Sequence, residues 1–213
     1  QPETFVSFIG QRARWCQGMI QILLLKNPLL QKGLSLPQRI SYLNSCLFWI
    51  FPIFRLIFIL APLMFLLFNI NIYNASVEQV IAFSIPHFLA SIMLSAYIFH
   101  RLRPYPQSDI LEVFQMFFLL PAILAVFLSP RKPVFKTTRK GVTLDKDTPS
   151  PYALPILFFL ALISAGFIFG LISWLNNPFL HNALIITLLR NTFNGLFLLC
   201  ALGVMFERKQ RRK

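Results

Sequence analysis

The chain has 213 residues, of which 56% are hydrophobic and only 13% charged, with 24 phenylalanines. A soluble domain carries roughly 25% charged residues, so this composition excludes an ordinary water-soluble fold. The net charge of +13 suits nucleic-acid binding or a basic cytoplasmic membrane flank, and the placement of the basic residues decides between them.

Residues 3–26 read as an amphipathic helix, with Phe5, Phe8, Ile9, Trp15, Met19 and Ile22 at helical spacing. Residues 27–40, punctuated by Pro28, Gly33 and Pro37, read as an interfacial connection. Residues 45–68 form the first predicted span and 79–99 the second, with Pro86 as its expected kink. Residues 108–128 are long enough to cross, but both flanks, 101–103 and 131–140, are basic. Crossing would place one of them outside, so the positive-inside rule predicts a helix lying in the cytoplasmic interface, with Asp109 and Glu112 as cap and capping-box partner. A polar loop fills 129–151, and 152–175 and 183–206 are the third and fourth predicted spans.

The expected fold class is therefore an all-α integral membrane protein. It has four transmembrane helices, amphipathic interfacial helices and a cytoplasmic loop. Its segments are 1–43 (interfacial), 44–100 (hairpin), 101–151 (interfacial helix and loop), 152–206 (hairpin) and 207–213 (the start of a linker to a further domain). Every Lys and Arg except Arg55 and Arg190 falls in a segment placed on the cytoplasmic side, and the joins 69–78 and 176–182 have none. This accounts for the charge without nucleic acid and puts both ends in the cytoplasm. The two ends read as cuts within a longer protein.

The seven acidic residues do not assemble a catalytic centre. Asp145-Lys146-Asp147 has the Asp-x-Asp form of a glycosyltransferase metal site, but no apolar strand precedes it, and it reads as a solvated loop. His87, His100 and His181 are isolated, and Cys16, Cys46 and Cys200 fit neither metal nor disulfide spacing, so no metal site is expected.

Two clusters are more specific. Gln11, Arg14 and Trp15 stand at i, i+3 and i+4, beside Arg12, so one helix face offers an amide, a guanidinium and an indole. Arg pairs with phosphate oxygens and Trp stacks on a sugar face, which suits a nucleotide-diphosphate sugar meeting a polymer. An interfacial helix with snorkelling Arg and anchoring Trp fits the same residues. The second cluster, Phe135-Lys136-Thr137-Thr138-Arg139-Lys140-Gly141, could fold over phosphates or rest on anionic lipid.

Together and in this order, the two clusters resemble the bacterial cellulose synthase catalytic subunits. Gln11, Arg14 and Trp15 match that family's Gln-x-x-Arg-Trp motif, which chitin and hyaluronan synthases share. Phe135, Thr138, Lys140 and Gly141 fit its gating loop, Phe-x-Val-Thr-x-Lys-Gly, with Thr137 in place of Val. The resemblance also takes in LLLKNPLL and LPQRISYLNSCLFWIFPIFR and extends over essentially the whole chain.

It implies a processive family 2 glycosyltransferase of the bacterial inner membrane. Such an enzyme adds glucose from UDP-glucose to a β-1,4-glucan and exports it through its own channel to a periplasmic partner subunit. Trp15 would stack on the acceptor end, and Gln11 and Arg14, with Arg12 alongside, would lie near the donor pyrophosphate. Phe135, Thr137, Thr138 and Lys140 would close over UDP. The catalytic aspartates and Mg2+ would belong to an upstream domain, leaving this fragment inactive alone. Arg208 and Arg212 would mark the linker to a PilZ domain that binds the activator cyclic di-GMP. Trp49, Arg55, Arg190 and Asn194, with Asn191 on the same face as Arg190, would line or support the pore, or pair helices instead. The alternatives are another β-glycan synthase, or a non-enzymatic membrane transporter or scaffold.

Overall fold

The computed structural model describes residues 5–70, 76–99, 107–131, 148–149, 153–204 and 206–207. Its helices are α1 (Phe5–Leu25), α2 (Leu36–Phe48), α3 (Phe51–Phe68), α4 (Val77–Phe99), α5 (Gln107–Leu128), α6 (Ala153–Asn176) and α7 (His181–Val204). Short 3-10 turns, Pro28–Leu30 and Pro178–Leu180, precede α2 and α7. Among the described residues the only β structure is a two-residue antiparallel bridge between β1 (Thr148–Pro149) and β2 (Phe206–Glu207), with Thr148 opposite Glu207. The fold is all-α, as the sequence predicts.

Local chemistry sets the helix ends. At the start of α4, Ser76 and Gln79 form a reciprocal capping box, the Ser76 N–H donating to Gln79 Oε1 and the Gln79 N–H to Ser76 Oγ. The Ser35 N–H donates to Gln38 Oε1 before α2 in the same pattern. At the end of α3, Asn69 takes a left-handed φ of 56°, and the Ile70 N–H reaches back to Met64 O. That is a helix-ending turn in which Asn replaces the usual glycine. Pro62, Pro86 and Pro121 sit inside helices that continue through them.

One boundary differs from expectation. Residues 45–68 are two helices, because α2 stops at Phe48 and α3 begins at Phe51. Pro52 has no N–H for the Phe48 carbonyl, and its ring would press on that carbonyl if the helix continued. In the first turn of a new helix the missing donor costs nothing. The Trp49 N–H instead closes on Cys46 O at 3.2 Å. The segment 27–40 is likewise a turn followed by the start of α2. There Arg39 fastens the connection by donating to Leu34 O and Leu29 O at 3.1 and 2.9 Å.

Among the described residues, five helices are long and apolar enough to cross a bilayer: Phe51–Phe68, Val77–Ile98, Ser108–Leu128, Ala153–Asn176 and His181–Gly203. Four correspond to the predicted spans. The fifth, in α5, qualifies by length and composition; only the charge of its flanks had set it aside.

The chain divides into two compact units. The first holds Gln1–Arg55, Gln115–Ala153 and Val204–Lys213. In it α1 packs on α2 and buries Ile9, Cys16 and Ile20, a single helical stripe. The second half of α5 buries Met116, Leu119, Ile123 and Val126. Gln21 Nε2 on α1 donates to Pro130 O just after α5 at 2.6 Å.

The second unit holds Leu56–Phe114 and Leu154–Gly203. Its core includes Ile59, Leu63, Leu66, Ile163, Leu184 and Leu198. Gly166 and Gly170 on α6 let α3 and α7 approach. A Cβ on Gly166 would come 2.9 Å from Leu63 Cδ2, and one on Gly170 would come 2.7 Å from Leu188 Cδ2 and 2.8 Å from Leu66 Cδ2. Four-residue spacing of glycines is a recurrent device for close helix packing where lipid removes the hydrophobic drive between helices. By contrast α4 buries none of its membrane-length stretch.

Candidate functional site

The two units each carry a polar cluster. In the first unit α1 is continuous across the Gln11-to-Trp15 motif, so Gln11, Arg14 and Trp15 do share one helical neighbourhood. Gln11 and Arg14 are half-buried, whereas Trp15 keeps 52% of its surface exposed. A half-open indole on a fixed helix is the kind of surface on which a sugar ring can stack.

Arg12 holds the centre of this cluster. Its guanidinium carbon lies 5.8 Å from the Phe8 ring centroid, 6.0 Å from that of Trp15 and 5.5 Å from that of Trp49. Each distance falls within the range where a cation is attracted to a ring face. One turn further along α1, the Cys16 thiol points to the Trp49 carbonyl oxygen at 4.0 Å. Burial pushes the Cys16 pKa up to about 12, because the thiolate would lose its solvation. Trp49 thus meets Arg12 at its ring and Cys16 at its backbone, two residues spaced i and i+4 on α1.

Trp49 caps α2 in the break before α3, is only 8% exposed, and belongs to the α1 cluster. The six-residue spacing from Trp49 to Arg55 does not run along one helix, because α3 starts only at Phe51.

In the second unit the amides of α7 face helix backbones. Asn191, fully buried, donates through Nδ2 to Ile163 O of α6 at 2.9 Å. Asn194 donates to Phe58 O of α3 at 3.0 Å, and the Arg190 guanidinium lies 5.3 Å from the Phe58 ring centroid. The two amide bonds join α7 to α6 and to α3. At the foot of α7, His181 stacks on Trp174 at 4.3 Å with rings 6° apart, and its Nε2 lies 2.9 Å from Trp174 O.

Phe135, Thr137, Thr138 and Lys140, the Asp145–Asp147 segment, and Arg208 and Arg212 lie outside the described residues. Arg55 is half-buried on α3.

Sequence reasoning missed Trp49 as a partner of Arg12. The proline at 52, which ends α2 beside it, was the available signal. It also missed the Gly166–Gly170 pair, whose spacing is legible in the sequence.

No protein-family model matches the chain. Curated relatives do. The chain is 35% identical over 170 residues to the cellulose synthase catalytic subunit [UDP-forming] of Pseudomonas fluorescens, covering 79% of the chain. It is 37% identical over 172 residues to cellulose synthase 1 catalytic subunit [UDP-forming] of Komagataeibacter xylinus, again 79% of the chain. A putative cellulose synthase 2 of Komagataeibacter xylinus aligns with 99% of the chain at 32% identity. The chain is homologous to one segment of the bacterial cellulose synthases. It spans 23% of the length of the first two relatives and 14% of the third. The five membrane-length helices among the described residues are those of a multi-pass membrane protein.

Proposed function

We propose that the chain is the channel-forming part of a UDP-glucose-dependent cellulose synthase that extends a β-1,4-glucan and moves it across the bacterial inner membrane. The observation that carries this reading is the exposed Trp15 beside Gln11 and Arg14 on α1, in a chain homologous to cellulose synthases. Trp15 takes the acceptor end of the glucan, and Gln11 and Arg14 meet the donor pyrophosphate through forked and amide hydrogen bonds. Holding acceptor and donor on one rigid helix lowers the entropy cost of bringing them together.

Several finer features belong to the same reading. The α5 helix lies in the cytoplasmic interface; its second half shares a compact unit with the amphipathic α1 and α2, which supports that placement. Both ends of the chain are then cytoplasmic. The loop with Phe135, Thr137, Thr138 and Lys140 gates the nucleotide. Cyclic di-GMP, bound beyond the exit containing Arg208 and Arg212, releases that gate. Mg2+ and the catalytic aspartates reside in the rest of the longer protein, and a periplasmic subunit receives the polymer.

The test uses the full-length protein in nanodiscs with UDP-glucose, Mg2+ and cyclic di-GMP. The expected result is UDP release together with a product that an endo-β-1,4-glucanase digests. A product resistant to that enzyme, or UDP release only from another sugar nucleotide, overturns the reading in favour of a different β-glycan.

A further inference from the structure

We infer that Arg12 is a positioning residue: wedged between Trp49 and Trp15, it fixes the angle at which the Trp15 indole meets the acceptor sugar. This deepens the reading of α1 as the acceptor site and rests on it.

The geometry separates Arg12 from its neighbours in the motif. Its guanidinium carbon is within 6.0 Å of three ring centroids, the nearest being Trp49, which is 8% exposed and anchored in the first unit. Trp15 is 52% exposed and lies on the same helix, three residues on. An exposed Trp on a helix surface ordinarily samples several rotamers, and ordering it opposes binding. A cation held against a buried ring supplies a fixed surface for the exposed ring to rest on. The delocalised, planar guanidinium can meet two ring faces at once, which an ammonium does less well. Cys16, on the same face of α1, adds a weak thiol contact to the Trp49 carbonyl oxygen at 4.0 Å. Phosphate binding is then left to Gln11 and Arg14.

This assignment predicts a split between donor and acceptor behaviour. In the full-length protein, Arg12→Gln should lower the elongation rate several-fold and shorten the chains, while the KM for UDP-glucose stays within about twofold. Arg12→Lys keeps the charge but not the planar fork, so it should restore only part of the rate. Trp49→Phe keeps an aromatic ring in the core and should fall between them, and it carries the test if Arg12→Gln does not fold.

A second readout is independent of catalysis. With 5-fluorotryptophan incorporated, the 19F resonance of Trp15, identified by its loss in Trp15→Phe, should shift in Arg12→Gln and shift less in Trp49→Phe. A resonance unmoved by either change overturns the inference. So does a tenfold rise in KM for UDP-glucose in Arg12→Gln alone, which would make Arg12 a phosphate ligand. If the wild-type protein makes no glucan but the resonance shifts, the brace stands and the acceptor reading fails.

Discussion

The cluster on α1 and the cluster on α7 are built from similar residues, an arginine with polar and aromatic neighbours, but their surroundings differ. On α1, Arg12 meets three rings and Trp15 keeps half its surface open. On α7, Asn191 and Asn194 direct their amides to main-chain carbonyls of α6 and α3 and are closed off. An intramembrane polar group must find a partner, and a helix carbonyl is always near. Polarity inside a bilayer is therefore weak evidence for a pore until its partners are known. An exposed aromatic with an ordered support is stronger evidence for a ligand.

Substitutions can break or sharpen this contrast. The largest effect is expected from Trp15→Ala in the full-length protein. Losing a stacking face worth about 1–3 kcal/mol should slow elongation about five- to 150-fold with the folded yield unchanged. An unchanged rate would remove the ligand role from α1. Next, Gly170→Val should destabilise the second unit by about 1–3 kcal/mol, since new methyl groups must displace Leu66 and Leu188. Thermal unfolding in detergent would read this, and elongation per folded molecule should not change.

Asn194→Leu should cost only about 0.6 kcal/mol, the average worth of a hydrogen bond between membrane helices. Polymer output should stay the same. A tenfold loss of output from a stable Asn194→Leu protein would put Asn194 on the glucan path and erase the contrast.

The smallest effect concerns Cys16. Its thiol should resist maleimide at pH 8 in the folded protein and react on unfolding. The unfolded thiol ionises near 9.0, whereas the folded one holds its proton to about 12. Stability from this group is full below pH 9 and declines as pH rises towards 12.

Much of the architecture was legible because bilayer thickness demands long apolar runs, and α4, α6 and α7 carry them, each bordered on one side by a join, 69–78 or 176–182, that has no Lys or Arg. The α2–α3 break was not, because apolar composition runs unbroken across 45–68 and a single proline decides it. The β1–β2 bridge was also hidden, since two residues on each side carry no periodicity. For the site, helical spacing placed Gln11, Arg14 and Trp15 together. It could not bring in Trp49 from α2, because that contact depends on how α1 and α2 pack.

The most direct measurement is cross-linking to the growing polymer. A photoreactive p-benzoylphenylalanine at position 15, and separately at 194, in full-length protein elongating radiolabelled glucan would report which position touches it. Label attached at 15 and absent at 194 is the expected result. Label at 194, with none at 15 in a protein that still elongates, would contradict the assignment of α1 as the acceptor site.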